Sequence, residues 1–161
     1  MTRYLVLPLT LILSLAFSSN ALAAKKAPTF KLQGENGEIS LEQYKGQVVY
    51  VDFWASWCVP CKHSFPWMND IQKRYGNKGF KVIAINLDKD KKDAHTFLKM
   101  HPAEFTIAYD PEGIAAEAYR VKVMPTAYLI DQQGNLVNSH KGFKIEDSKK
   151  MEAAIRKLQS K

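Results

Sequence analysis

The chain has two cysteines, Cys58 and Cys61, separated only by Val59 and Pro60. Two thiols at that spacing can close a structural disulfide, supply half of a metal site, or exchange with the disulfide of a partner. Their number excludes a multi-bridge disulfide scaffold. It equally excludes an all-cysteine zinc ribbon, or an iron–sulfur cluster held by this chain's thiolates alone. Zinc would need two further ligands, and His63, His95, His101 and His140 include no pair at ligand spacing.

The elements around the pair decide which chemistry is favoured. Val48 to Trp54 is a near-continuous run of β-branched and aromatic residues, the pattern of a strand buried on both faces. A short turn follows. From Cys58 to Tyr75 the apolar residues Phe65, Met68, Ile71 and Tyr75 recur at helical spacing, which predicts a helix starting at Cys58. Free N–H groups and the dipole at a helix start favour a thiolate, so Cys58 is the expected nucleophile. Cys61, one turn on, is the less exposed, resolving sulfur. Asp52 falls on the buried strand; unless a lysine or backbone group satisfies it, burial should raise its pKa and let it carry a proton.

The remaining elements complete one domain. Phe30–Gln33 and Glu38–Ser40 flank Gly34–Gly37 as a hairpin. Phe80–Leu87 and Thr126–Ile130 read as further buried strands, with Leu136–Val137 as a hairpin partner. Helices are expected over Asp93–Met100, Pro111–Arg120 and Asp147–Leu158, the last with Asp147 as N-cap. After a β-rich start the order is β-α-β-α-β-α-β-β-α, an α/β sandwich with helices on both faces of a mixed sheet.

The first 23 residues read as an address. Arg3 precedes a run of 14 uncharged residues from Tyr4 to Phe17, and Ala21-Leu22-Ala23 supplies small residues for cleavage after Ala23. The apolar run is shorter than the roughly 20 residues of a membrane-spanning helix. The expected organisation is a secretory signal peptide over 1–23 and one domain over 24–161, with an uncleaved anchor as the alternative. Of the full chain's 161 residues, 46% are hydrophobic and 24% charged, which excludes disordered and collagen-like classes. The net charge of +7 falls to +6 without Arg3. Its lysines are dispersed and no nucleic-acid motif appears, so a solvated basic surface is expected and a nucleic-acid partner is not.

Val51-Asp52-Phe53-Trp54-Ala55-Ser56-Trp57-Cys58-Val59-Pro60-Cys61-Lys62 resembles the thioredoxin active-site segment over twelve consecutive positions. Pro66 matches the proline of the active-site helix, and Met124-Pro125-Thr126 matches the cis-proline segment beside the disulfide. The stretch from Asp88 to Arg120, including Asp110-Pro111-Glu112-Gly113 and Tyr119-Arg120-Val121, is similar to the strand-and-helix insertion of the exported TlpA-like branch, which includes ResA and DsbE proteins. The resemblance spans Pro28 to Leu158.

That resemblance implies a thioredoxin fold with an N-terminal β-hairpin and a β/α insertion, and a dithiol–disulfide cycle needing no cofactor or metal. It places Cys58, Cys61, Asp52 and Pro125 in the catalytic centre, with Asp52 as base toward Cys61 and Pro125 cis. Trp57, Pro60, Met124 and Thr126 would face the substrate, the Met124 backbone pairing with an extended peptide. The implied protein is a periplasmic monomer that reduces protein disulfides, for example in cytochrome c maturation or oxidase assembly, with electrons from a membrane-embedded donor. Two positions depart from the pattern: Ser64 stands where many cytochrome-maturation members carry glutamate, and Val59 where reductants of the branch often carry Glu or Pro. A disulfide oxidant or isomerase is the competing reading. Oxidants of the DsbA type typically have histidine where Pro60 stands. A Cu(I)-handling protein is a third, since soft thiolates suit that ion, although no methionine–histidine copper motif flanks the pair.

Overall fold

The computed structural model describes residues 24–160; the signal peptide expected over 1–23 lies outside them. The chain folds as β1 (Lys31–Gly34), β2 (Gly37–Ser40), β3 (Val48–Trp54), α1 (Cys61–Tyr75), β4 (Phe80–Asn86), α2 (Lys91–Met100), β5 (Thr106–Tyr109), α3 (Ile114–Ala118), β6 (Thr126–Ile130), β7 (Leu136–Lys141) and α4 (Ile145–Gln159). The strands form one mixed sheet in the order β2-β1-β5-β4-β3-β6-β7. β3 is an interior strand, parallel to β4 and antiparallel to β6. Every residue of β3 is buried, as its unbroken apolar run requires of a strand covered on both sides.

Alternation along β3 sorts its side chains into two layers. Val48, Tyr50 and Trp54 pack with Cys58, Cys61, Phe65, Met68 and Ile71 around α1, with Phe97 of α2, and with Met151 and Ile155 of α4. Val49, Val51 and Phe53 face the other way, onto Ala115, Ala116 and Tyr119 around α3 and onto Phe30 of the N-terminal segment. Helices therefore cover both faces, as expected from the element order. Trp54 anchors the first layer, its ring 5.0 Å from Phe65 and 4.9 Å from Phe97, centroid to centroid. Such aromatic pairs add about 0.5–1.5 kcal/mol each beyond their buried area.

Helix starts are where the structure departs from the sequence reading. α1 begins at Cys61, not Cys58, because the N–H groups of Cys61, Lys62 and His63 bond to the carbonyls three residues back, at Cys58, Val59 and Pro60. The chain there is a tightened turn that becomes an α-helix only afterwards. α2 starts at Lys91, two residues early, because the Asp90 side chain accepts the Lys92 N–H at 2.9 Å. α3 is shorter than the expected Pro111–Arg120. Gly113 has φ 73°, outside the helical region, and the Asp110 carboxylate caps the helix by accepting the N–H groups of Ile114 and Ala116. Asp147 is not the N-cap of α4. The helix starts at Ile145 with Lys144 at the cap, and Asp147 lies in the first turn, where its charge suits the dipole.

Candidate active site

Cys58 and Cys61 are joined in a disulfide with a Cα–Cα separation of 5.4 Å. Cys61 is fully buried beneath the first turn of α1, and Cys58 is 4% exposed, in the turn just ahead of it. The expected asymmetry holds in direction: Cys58 is the outer sulfur. Its turn is flanked by protruding apolar side chains, Trp57 at 69% exposure and Val59 at 61%. Pro60 is also exposed and occupies the N-cap of α1.

A buried carboxylate sets the approach to this turn. Asp88, just past the end of β4, accepts the Ser56 N–H at 2.9 Å, the Ser56 hydroxyl at 3.0 Å and the Asn86 side-chain amide at 2.8 Å. The Asp88 N–H in turn donates to Asn86 Oδ1. With Leu87 N–H on the Trp54 carbonyl and Cys58 N–H on the Ala55 carbonyl, the segment from β3 to Cys58 is tied down at each step. In the sequence Asp88 stands out only as the start of the stretch that runs to Arg120. The signal available was an acidic residue directly after a strand, two positions beyond an asparagine, a pattern suited to short side-chain-to-backbone bonds.

Asp52 lies between Tyr50 and Trp54 on β3, so alternation turns it toward the layer that contains Cys61. It is completely buried, and neither carboxylate oxygen has a hydrogen-bond partner among the described residues. Its cross-strand neighbours are Ala84 and Ala127, which contribute no charge and no donor. Among the described residues, no lysine or backbone group satisfies this carboxylate. Burial raises the Asp52 pKa well above the ordinary carboxylate range.

The Met124–Pro125 peptide bond is cis, as the resemblance implied. Met124 is half-buried against the core cluster that includes both cysteines, and Val123 beside it is exposed. Thr126 is the exception among the residues placed at the substrate face. It is buried, and its hydroxyl donates to the Val123 carbonyl at 2.6 Å, so the side chain braces the loop from within. Trp57, Val59, Pro60 and Val123 offer the exposed surface. His63, adjacent to the turn, is also exposed.

Concavities of about 750, 300 and 560 Å³ occur elsewhere on the molecule, and none is lined by either cysteine. Among the described residues no cluster of three or more His, Cys, Asp or Glu is arranged to hold a metal ion. A disulfide in a turn flanked by the exposed apolar side chains of Trp57 and Val59 suits a partner that docks on the surface.

Comparisons with known proteins agree with this geometry. The Redoxin family model matches residues 22–155. The thiol-disulfide oxidoreductase ResA of Bacillus subtilis (strain 168) is 35% identical over 121 residues, covering 74% of this chain and 68% of the relative. ResA of Bacillus cereus (strain ATCC 10987 / NRS 248) is 32% identical over 135 residues, covering 83% and 77%. Among solved structures, a Chlorobium tepidum protein described as a thiol:disulfide interchange protein DsbE superposes with a TM-score of 0.82 at 48% identity, covering 84% of this chain and 96% of that one. The exposed lipoprotein thioredoxin Etrx1 of Streptococcus pneumoniae strain TIGR4 gives 0.69 at 32% identity, covering 81% and 100%. With the sheet order, the cysteine pair and these relatives in agreement, the chain belongs to the Redoxin family, as a thioredoxin-fold thiol–disulfide oxidoreductase of the ResA and DsbE kind.

Proposed function

We propose that this oxidoreductase works as an exported reductant of protein disulfides. The observation that carries the reading is the Cys58–Cys61 pair in a turn flanked by exposed apolar side chains, with a fully buried Asp52, unpartnered among the described residues, in the layer behind it. In the reduced form the Cys58 thiolate attacks one sulfur of the partner's disulfide. A mixed disulfide forms and the partner's other sulfur leaves as a thiolate. Asp52 in its ionised form takes the Cys61 proton, and the Cys61 thiolate attacks Cys58 Sγ. The bond from Cys58 to the partner breaks, the Cys58–Cys61 disulfide closes, and the partner's second sulfur leaves as a thiolate. Asp52 and solvent supply the protons that make the partner a dithiol. Trp57, Val59, Pro60 and Val123 pack on the partner, while Met124 offers its backbone.

Reduction rather than oxidation is favoured by Pro60, the second of the two residues between the cysteines. A strong oxidant needs a well-stabilised Cys58 thiolate, because that lowers the energy of the reduced form. Pro60 has no N–H, so the turn has one fewer donor to offer the sulfur. The leader pattern over 1–23 supports export to the periplasm, where disulfides form and a membrane-embedded donor would have to supply electrons. Cytochrome c maturation and oxidase assembly are the substrate settings in keeping with the resemblance.

The equilibrium reduction potential against glutathione or dithiothreitol tests the direction. A value near the roughly −270 mV of thioredoxin supports the reductant, and one near the roughly −120 mV of DsbA overturns it in favour of an oxidant.

A further inference from the structure

His140 lies on β7 opposite Ala127, which is itself opposite Asp52, so the three occupy one row across β3, β6 and β7. Its ring is held at both nitrogens. Nε2 is 2.8 Å from the Tyr50 hydroxyl, and Nδ1 is 2.7 Å from the Gly142 carbonyl. A carbonyl can only accept, so Nδ1 carries the proton; in the neutral ring Nε2 is then the acceptor and the Tyr50 hydroxyl the donor. Tyr50 is fully buried and its ring rests edge-on against Trp67, centroids 5.4 Å apart, so this phenol has a fixed place from which to hold the imidazole.

Gly142 carries the contact onward. Its N–H donates to the Pro125 carbonyl at 2.7 Å, while its own carbonyl accepts the hydrogen bond from His140 Nδ1–H. Both backbone groups of one glycine are thus engaged, at φ 71°, a left-handed conformation that favours glycine. We propose that His140 is a positioning residue for the substrate-docking loop: fixed as the Nδ1–H tautomer between Tyr50 and Gly142, it holds the Gly142 backbone against Pro125. The chain Tyr50–His140–Gly142–Pro125 runs from the buried centre of β3 to the loop where the partner's backbone pairs. Burial keeps the His140 pKa below its ordinary value, against the opposing pull of the Gly142 carbonyl and of Asp147 on α4. That favours the neutral ring this arrangement needs.

The inference rests on the proposed docking of protein disulfides at the Pro125 loop, and two readouts separate its failure from the failure of that reading. Long-range proton–nitrogen correlation of the imidazoles in the oxidised full chain at neutral pH should show His140 as the Nδ1–H tautomer; the Nε2–H tautomer overturns the proposal. Kinetics then use His140→Asn, whose amide can replace Nδ1–H, and His140→Gln, whose amide reaches the Nε2 position instead. With insulin as the protein disulfide, His140→Gln should raise KM about fivefold, the factor of one net hydrogen bond, with kcat within about twofold. His140→Asn should restore most of that loss. Equal effects of the two variants, or a fall in kcat at unchanged KM, overturn the proposal. Should either variant fail to fold, Tyr50→Phe, which deletes one hydroxyl, must raise the insulin KM in the same way. If the wild-type chain does not turn over insulin, the reductant reading fails, while the tautomer still decides the role of His140.

Discussion

The Asp88 carboxylate accepts both the backbone N–H and the hydroxyl of Ser56, at 2.9 and 3.0 Å. One residue just beyond β4 therefore sets the path of the turn that leads to Cys58. Asp88 is buried, so removing it leaves the Ser56 N–H and the Asn86 amide without their acceptor in a place water barely reaches. An unmet buried donor costs about 1–3 kcal/mol. Asp88→Ala should therefore lower stability by about 2–3 kcal/mol and slow disulfide exchange more than Ser56→Ala, which deletes only the hydroxyl bond. Urea melts alongside insulin-reduction rates check both parts. Equal exchange rates in the two variants would detach the carboxylate from the geometry of the redox turn.

Asp52 links stability to pH in the opposite sense from a salt-bridged carboxylate. Burial raises its folded pKa, so above the ordinary carboxylate value of about 3.9 the folded chain binds a proton that the unfolded chain has lost. Stability contributed by this group therefore falls as pH rises toward the folded pKa. Asp52→Asn has no such proton to lose. Its stability relative to wild type should rise by about 1.4 kcal/mol per pH unit between the unfolded and the folded pKa. The same variant should slow resolution of the mixed disulfide about a hundredfold at neutral pH, the lower side of what general base catalysis contributes, and leave the Cys58 attack little changed. A pH-independent difference in stability, measured by chemical denaturation from pH 4 to 9, would contradict the raised pKa. Unaltered resolution would remove the proton role.

The two sulfurs should separate by function. Cys58→Ser removes the outer nucleophile and should abolish disulfide reduction. Cys61→Ser keeps the attack but removes the resolving thiol, so mixed disulfides with protein substrates should accumulate and be visible on non-reducing gels. Turnover retained in Cys58→Ser would reverse the assignment of nucleophile and resolving cysteine.

The cysteine pair, the strand behind it and the order of elements were legible because each leaves a local pattern: a spacing of three, an unbroken apolar run, an alternation of helical and strand periods. Asp52 was legible for the same reason, as a charge inside an apolar run. Helix starts at Cys61, Ile114 and Ile145 were not, since they depend on Pro60, on the left-handed Gly113 and on which residue's carbonyl caps the turn. His140 could not be read at all. In sequence it is one histidine in a polar strand, and its partners Tyr50 and Gly142 meet it only through the β3–β6–β7 register. The orientation of Thr126 was hidden by the same logic: strand pairing turns its side chain inward, with the hydroxyl on the Val123 carbonyl.

A second carboxylate gives the sign opposite to Asp52, away from the site. Glu152 on α4 takes two bonds from the Arg74 guanidinium of α1, at 2.6 and 3.0 Å, and one from the Tyr75 hydroxyl at 2.8 Å. Arg74, foremost, holds its pKa down to about 2, with Tyr75 adding to the effect and partial burial opposing it. A depressed folded pKa contributes stability that is complete above the ordinary value and is lost as pH falls through the folded one. The window is therefore from about pH 4.5 down to about pH 2. Because Arg74 is partly exposed, solvent screening reduces the contribution to about 1 kcal/mol. Glu152→Gln should be less stable by that amount at pH 7, and the gap to wild type should close as the pH is lowered toward 2. Denaturation midpoints measured across that range check it; a gap that stays constant would mean that Glu152 acts through packing between α1 and α4 and not through its charge.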